Sequence, residues 1–239
     1  MKAVYVLTIA LTSAMLISGC VQIATNQSKG SGTMATETRN VATFTSVNFA
    51  VPGTLRVTQS DAQSVKVEAE NDVISRIRTE VSNGILTVDA SKPIVTTEPI
   101  NVYVSLSAID GINNDGAGTV ISDSLLTTNA LNLTLQGAGT FNIYLNTTQL
   151  TTRILGAGTA NLRGNATDHT AVLTGVGSLR SSELATDTTS IKIEGAGSAE
   201  VTVTKSLDVS ITGTGSVRYH GSPEVHKQIT GVGTVQKTG

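Results

Sequence analysis

Residues 131–145 read LNLTLQGAGTFNIYL. Leu131, Leu133, Leu135, Gly137, Gly139, Phe141, Ile143 and Leu145 share one parity, and mostly polar residues alternate with them. That period of two marks a strand with one buried face. Both glycines fall on the buried parity, where they weaken an ordinary strand. The same GAGT stands at 116–119, 137–140 and 156–159, followed by GVGS at 175–178, GAGS at 195–198, GTGS at 213–216 and GVGT at 231–234. The first glycines are separated by 21, 19, 19, 20, 18 and 18 residues. Such a period in a strand-rich chain predicts a solenoid. The expected fold is all-β: a single-domain parallel β-helix with coils of about 19 residues.

A coil this short must turn corners around a narrow core. At a corner an inward position has little room for a Cβ, and the backbone can require positive φ. Gly116, Gly118, Gly137, Gly139, Gly156, Gly158, Gly175, Gly177, Gly195, Gly197, Gly213, Gly215, Gly231 and Gly233 are therefore read as structural repeat glycines. The residues between them (Ala117, Ala138, Ala157, Val176, Ala196, Thr214, Val232) should point outward. Thr119, Thr140, Thr159, Ser178, Ser198, Ser216 and Thr234 should stack as a hydroxyl column with a rung spacing of about 4.8 Å. Val120, Phe141, Ala160, Leu179, Ala199, Val217 and Val235 follow as an apolar column. A third apolar site at Leu150, Ala166, Leu184 and Leu207 implies three strands per coil and a triangular cross-section. Five residues after the first glycine stand Arg180, Glu200 and Arg218, which should form a charge ladder on one outer face.

Upstream, residues 41–110 are dense in strand signals. Val65, Val67 and Ala69 alternate with charged residues, and Asn83-Gly84 is a tight-turn pair ahead of Leu86 and Val88. The β-branched run from Val73 to Val81 is read as a strand. No long helix is expected after the N-terminal segment.

That segment differs from the rest. Met1 and Lys2 make a basic start, Ala3 to Leu16 is uncharged and mostly apolar, and Ile17-Ser18-Gly19-Cys20 closes it with small residues before a cysteine. The apolar stretch is shorter than the roughly 20 residues of a membrane span and suits a signal-peptide core. It resembles a bacterial lipoprotein signal, which implies cleavage after Gly19 and acylation of Cys20. Cys20 is the one cysteine in the chain, so no intramolecular disulfide is possible. The same resemblance to lipoproteins implies the outer membrane, because Val21 stands where an Asp would favour inner-membrane retention. Residues 1–19 are thus read as the signal peptide, 20–36 as a polar flexible tether and 37–239 as the β-helix domain.

The order of FTSVNFAVPGTLRVTQSDAQSVKVEAE (44–70), VSNGILTVDAS (81–91), INVYVSLSAIDGINNDGAGTV (100–120) and the Gly-x-Gly array resembles the head GIN domain family, described as autotransporter adhesins. The resemblance implies a secreted or lipid-anchored bacterial β-helix. It carries over no catalytic residues.

Other chemistries fit poorly. The formal net charge is −2, with 16 basic and 18 acidic residues, which argues against nucleic acid. A dinucleotide fingerprint needs a third glycine and a following helix, and a P-loop needs a lysine; the motifs have none of these. Calcium-binding nonapeptides need an Asp where Phe141, Ala160, Leu179 and Ala199 stand. No cofactor or metal site is assigned. His169, His220 and His226 are the only histidines, and His220 and His226 flank Pro223 in what reads as a loop. Acidic residues are scattered, and only Tyr103 and Tyr144 are aromatics on outward parity.

The expectation is a lipid-anchored, non-catalytic envelope module for binding, adhesion or structure. It would present a flat polar surface to a polysaccharide or protein ligand. The alternative is a carbohydrate-active enzyme on the same scaffold. Self-association through an exposed coil edge is a further expectation.

Overall fold

The computed structural model describes residues 31–238, so the signal segment and Cys20 lie outside the described residues. The strands are β1 (Met34–Arg39), β2 (Ser46–Phe49), β3 (Thr54–Gln59), β4 (Ser64–Glu70), β5 (Ile77–Ser82), β6 (Ile85–Ala90), β7 (Asn101–Leu106), β8 (Gly111–Asn114), β9 (Thr119–Ser122), β10 (Leu126–Leu135), β11 (Thr140–Ile154), β12 (Thr159–Gly175), β13 (Ser178–Gly195), β14 (Ser198–Gly213), β15 (Ser216–His220), β16 (Glu224–Gly231) and β17 (Thr234–Lys237). From β8 onward the strands pair in parallel, each coil on the one before it.

The seven motifs stack in one column. Thr119, Thr140, Thr159, Ser178, Ser198, Ser216 and Thr234 are successive register partners. Within this column the Ser178 and Ser198 hydroxyls are 3.1 Å apart, a hydrogen bond across one rung. The next residue inward repeats as Val120, Phe141, Ala160, Leu179, Ala199 and Val217, all buried. The fold is therefore the expected β-solenoid.

The two glycines of each motif do different work. In the first six motifs the first is half-buried on the corner, and a Cβ there faces the backbone of the neighbouring coil. It would lie 2.3 Å from Gly116 O at Gly137 and 2.5 Å from Gly195 O at Gly213. The second is buried, and core side chains occupy the space its Cβ would need, as at Gly158, where Leu135 Cδ2 would be 2.4 Å away. Both on the inward parity, they serve close stacking and core filling respectively. Gly213 also has φ of +123°, whereas Gly116 has its nearest neighbour at 3.7 Å.

Spatial order departs from chain order at the N-terminal end. β2 pairs in parallel with both β6 and β8, and β3 with both β7 and β9. The coil 46–59 is thus sandwiched between 85–106 and 111–122. Val51-Pro52-Gly53 forms its corner in place of Gly-x-Gly, and a Cβ on Gly53 would lie 2.5 Å from Ile100 O. Beyond this rung the ladder turns antiparallel: β4 on β7, β5 on β6 and β1 on β4. The β5–β6 hairpin turns at Asn83-Gly84, both with positive φ. The strand expected from Val73 to Val81 begins only at Ile77, after a 3-10 turn over Ile74–Arg76. Val73, Ile74 and Ile77 from this segment are buried and join the core.

This cap also moves a boundary. β1 begins at Met34, inside the stretch assigned to the tether, because pairing with β4 satisfies its backbone. Gly32 N–H donates to the Glu70 carboxylate (2.6 Å), which also accepts from Thr97 N–H (3.0 Å) and from the Thr96 and Thr97 hydroxyls. The two hydroxyl bonds lead in pulling Glu70 down to about 2.

One core expectation needs correction. Leu150, Ala166, Leu184 and Leu207 do not form one column. Leu150 and Leu207 share a column with His169 and Thr189, whereas Ala166 pairs with Thr147 and Leu184 with Gly164. Leu150 and Ala166 occupy different positions of coils that pair without a shift, and register shifts on either side of β13 displace Leu184 and Leu207 further. His169 is buried in β12, on the parity of Ala171 and Leu173, with Nε2 3.0 Å from the buried Thr152 Oγ1. Burial pushes its pKa from 6.5 down to about 4.

The glycine contrast gives a direct test by urea denaturation. Gly213→Ala adds strain and overlap and is expected to cost about 3 kcal/mol, whereas Gly116→Ala should cost under about 1 kcal/mol. Equal costs would refute the stacking account. A second test concerns His169. Its folded pKa lies below its unfolded one, so protons bind the unfolded chain first as pH falls below 6.5, and the loss of stability is complete near pH 4. Relative to His169→Leu, the native protein should lose on the order of 3 kcal/mol between pH 7 and pH 4. A parallel pH profile for the two proteins would overturn the assignment.

Candidate functional site

The face that follows each Gly-x-Gly corner carries two outward columns, separated by one buried position. The nearer column runs Ile121, Asn142, Asn161, Arg180, Glu200, Arg218 and Gln236, each the register partner of the next. The expected Arg180–Glu200–Arg218 ladder is present in it, extended in both directions. Further along the same face, Tyr144, Arg163 and Glu183 pair in a second column, two residues on in the first two coils and three in the coil of β13.

The sequence reading expected this surface to be flat. It is grooved instead, because the coils differ in length. Between Asn161 and Arg163 the register of β12 on β13 shifts. On the other side, Ser181 pairs with Val201 and Ala185 with Thr202, so Ser182, Glu183 and Leu184 are extra relative to β14. Leu184 turns into the core, while Ser182 and Glu183 stand exposed. The bulged segment is held by Thr202 Oγ1, which donates to Ser182 O at 2.7 Å. A bulge of this kind re-aims side chains and breaks the flatness of a sheet.

The resulting groove has a volume of about 450 Å³, within the range of small-ligand sites. Buried Ile143 and Leu162 form part of its lining. Its polar lining comes from Asn142, Asn161, Arg163, Arg180, Glu183 and Glu200. Several of these side chains are held in place. Asn161 Nδ2 donates to Asn142 Oδ1 at 2.8 Å. The Arg163 guanidinium lies over the Tyr144 ring, 4.9 Å from its centroid, a cation–π contact. Glu200 Oε1 is 3.3 Å from His220 Nε2.

The structure thus brings Glu183 and Glu200, read from sequence as scattered, into one groove. Other acidic residues lie elsewhere: Asp115 accepts from Asn113 and Gln136, and Asp187 pairs with Lys205 at 3.0 Å. His220 and His226 go to different partners, Glu200 and Glu224. Tyr103 is engaged by Glu68, to which its hydroxyl donates at 2.9 Å, and by Lys66 over its ring. The groove had a legible trace. Asn142 and Asn161 stand five residues after their first glycine, like Arg180 and Glu200, and the 20-residue step from Gly175 exceeds the 18-residue step that follows.

Parallel coils with an antiparallel N-terminal cap and a polar groove along one face define a capped β-solenoid. The family model described as "Putative auto-transporter adhesin, head GIN domain" matches residues 43–223, and the chain belongs to that family. Among solved structures, the chain is similar to a "putative adhesin" from Bacteroides fragilis NCTC 9343, with 24% identity and a TM-score of 0.83 over 88% of this chain and 99% of that one. A "putative lipid binding protein" from Parabacteroides distasonis ATCC 8503 shows 18% identity and a TM-score of 0.75 over 88% and 99%. A "putative adhesin" from Parabacteroides merdae ATCC 43184 shows 22% identity and a TM-score of 0.66 over 88% and 98%. At these identities the likeness concerns the fold. No curated protein matches the chain.

Proposed function

We propose that this chain is a non-catalytic binding module of the bacterial cell envelope, anchored through an acylated Cys20 to the outer membrane, with adhesion or envelope structure as its role. The observation that carries the reading is the parallel ladder from Thr119 to Thr234, in a chain of an adhesin-described family. A ladder of this kind makes a stiff rod whose outward columns are available for contact. The rod needs an anchor, and the lipobox-like Ile17-Ser18-Gly19-Cys20 supplies one. Several acyl chains hold firmly where one alone is marginal. The ligand is an envelope or extracellular polysaccharide or protein. A carbohydrate-active enzyme is the second reading, favoured by two carboxylates and two guanidinium groups sharing one groove.

The last described coil supports a further partner, a second copy of the chain. Ile229 is 37% exposed and Val232 80% exposed, whereas Ile211, one coil below Ile229, is buried. Light scattering of the lipid-free protein is expected to show mass rising with concentration, and a strict monomer at high concentration overturns this part.

Anchoring and display are tested together in cells. A clickable palmitate analogue is expected to label the native protein and not Cys20→Ser. Protease treatment of intact cells should then remove the domain. If labelling persists in Cys20→Ser, the anchor assignment fails. If the domain survives shaving, it faces the periplasm and the adhesion reading fails.

A further inference from the structure

From the lining of the groove on the face after the Gly-x-Gly corner, we infer that it is a binding site for a linear, uncharged oligosaccharide lying along the rod axis. The inference rests on the binding-module reading and names its ligand class.

Three features of the groove point to this chemistry. The first is its direction. Its lining starts at Ile121 and ends at Glu200, crossing five successive rungs of one column. At the spacing of parallel strands this is about 19 Å. The ligand must be extended, and one rung is close to the length of one pyranose residue.

The second is charge. Arg163 and Arg180 are balanced by Glu183 and Glu200. A polyanion would meet the two carboxylates, and a polycation the two guanidinium groups, each a like-charge cost. An uncharged ligand avoids both.

The third is hydrogen-bonding capacity. Each Asn has donors and an acceptor; the Asn161–Asn142 bond uses one of each and leaves both kinds available. Guanidinium groups only donate and carboxylates only accept. Alternating donors and acceptors at rung spacing suit a chain of hydroxyl groups, each of which does both. The site is also partly preorganised. Tyr144 supports Arg163, and His220 contacts Glu200. Such restraint reduces the ordering cost of binding. An extended peptide is a poorer fit, because the rungs at this face already pair on both sides and leave no strand edge to augment.

The test is isothermal titration of the lipid-free protein with linear hexasaccharides. The set comprises a neutral glucan, a neutral mannan, an N-acetylhexosamine polymer and a uronic-acid polymer. At least one uncharged chain is expected to bind, the uronic-acid chain more weakly. Arg180→Ala and Asn161→Ala should each weaken binding about tenfold or more. Arg153→Ala, an exposed change outside the groove lining, should leave it unchanged. Unaltered melting of each variant shows that the fold is intact. Preference for the uronic-acid chain, no uncharged chain bound, or binding insensitive to Arg180→Ala and Asn161→Ala each overturns the inference. None of these outcomes depends on where the domain is displayed, so the cell-shaving result stands or falls separately.

Discussion

The stacking of each corner directly on the corner below it governs this molecule. The first glycine of one coil lies so close to the carbonyl of its predecessor that a Cβ at Gly156 would come within 2.4 Å of Gly137 O. That approach keeps the rungs in register, and register in turn sets what every outward residue faces. A hydroxyl column, an asparagine ladder and a charge ladder all follow from one repeated contact. In a solenoid each coil meets only its neighbours, so stability is a sum of such interfaces. The ends are then the points at which the sum must be closed.

The two ends are closed differently. At the N-terminal end the chain leaves the parallel ladder after 46–59, lays β4 and β5 antiparallel on the outer coil, and covers the core with Val73, Ile74 and Ile77. The buried Glu70 carboxylate ties Gly32 and the 96–97 segment to this cap. At the other end of the described residues, β16 and β17 are mostly exposed, and positions buried in lower coils lie open. Among the described residues, the base is thus covered, whereas the last strands lie exposed.

The interior and the groove show what happens when coils are not identical. An unvaried repeat would give flat faces and uniform columns. Here β13 carries extra residues relative to its neighbours, which open a groove on one face and slide the columns of another. The core also accepts His169 beside Thr152, a buried polar pair held by one hydrogen bond among mostly aliphatic residues. Irregularity is where this scaffold acquires chemistry; regularity is where it acquires stiffness.

The coil period, the inward parity of the glycines, the hydroxyl and apolar columns after each corner, and the Arg180–Glu200–Arg218 ladder can all be read from the order of residues alone. These were legible because the same local constraint recurs in every coil, and repetition turns a weak local pattern into a strong one. His169 shared its parity with Ala171 and Leu173, so its burial was written there too, though polarity argued the other way. That 46–59 sits between 85–106 and 111–122, that the base is antiparallel, and that Glu183 and Glu200 share a groove with Arg163 and Arg180 emerges with the folded chain. Those outcomes depend on which distant strand supplies the next set of backbone partners. A period of two reports which side of a strand is buried and says nothing of its neighbour.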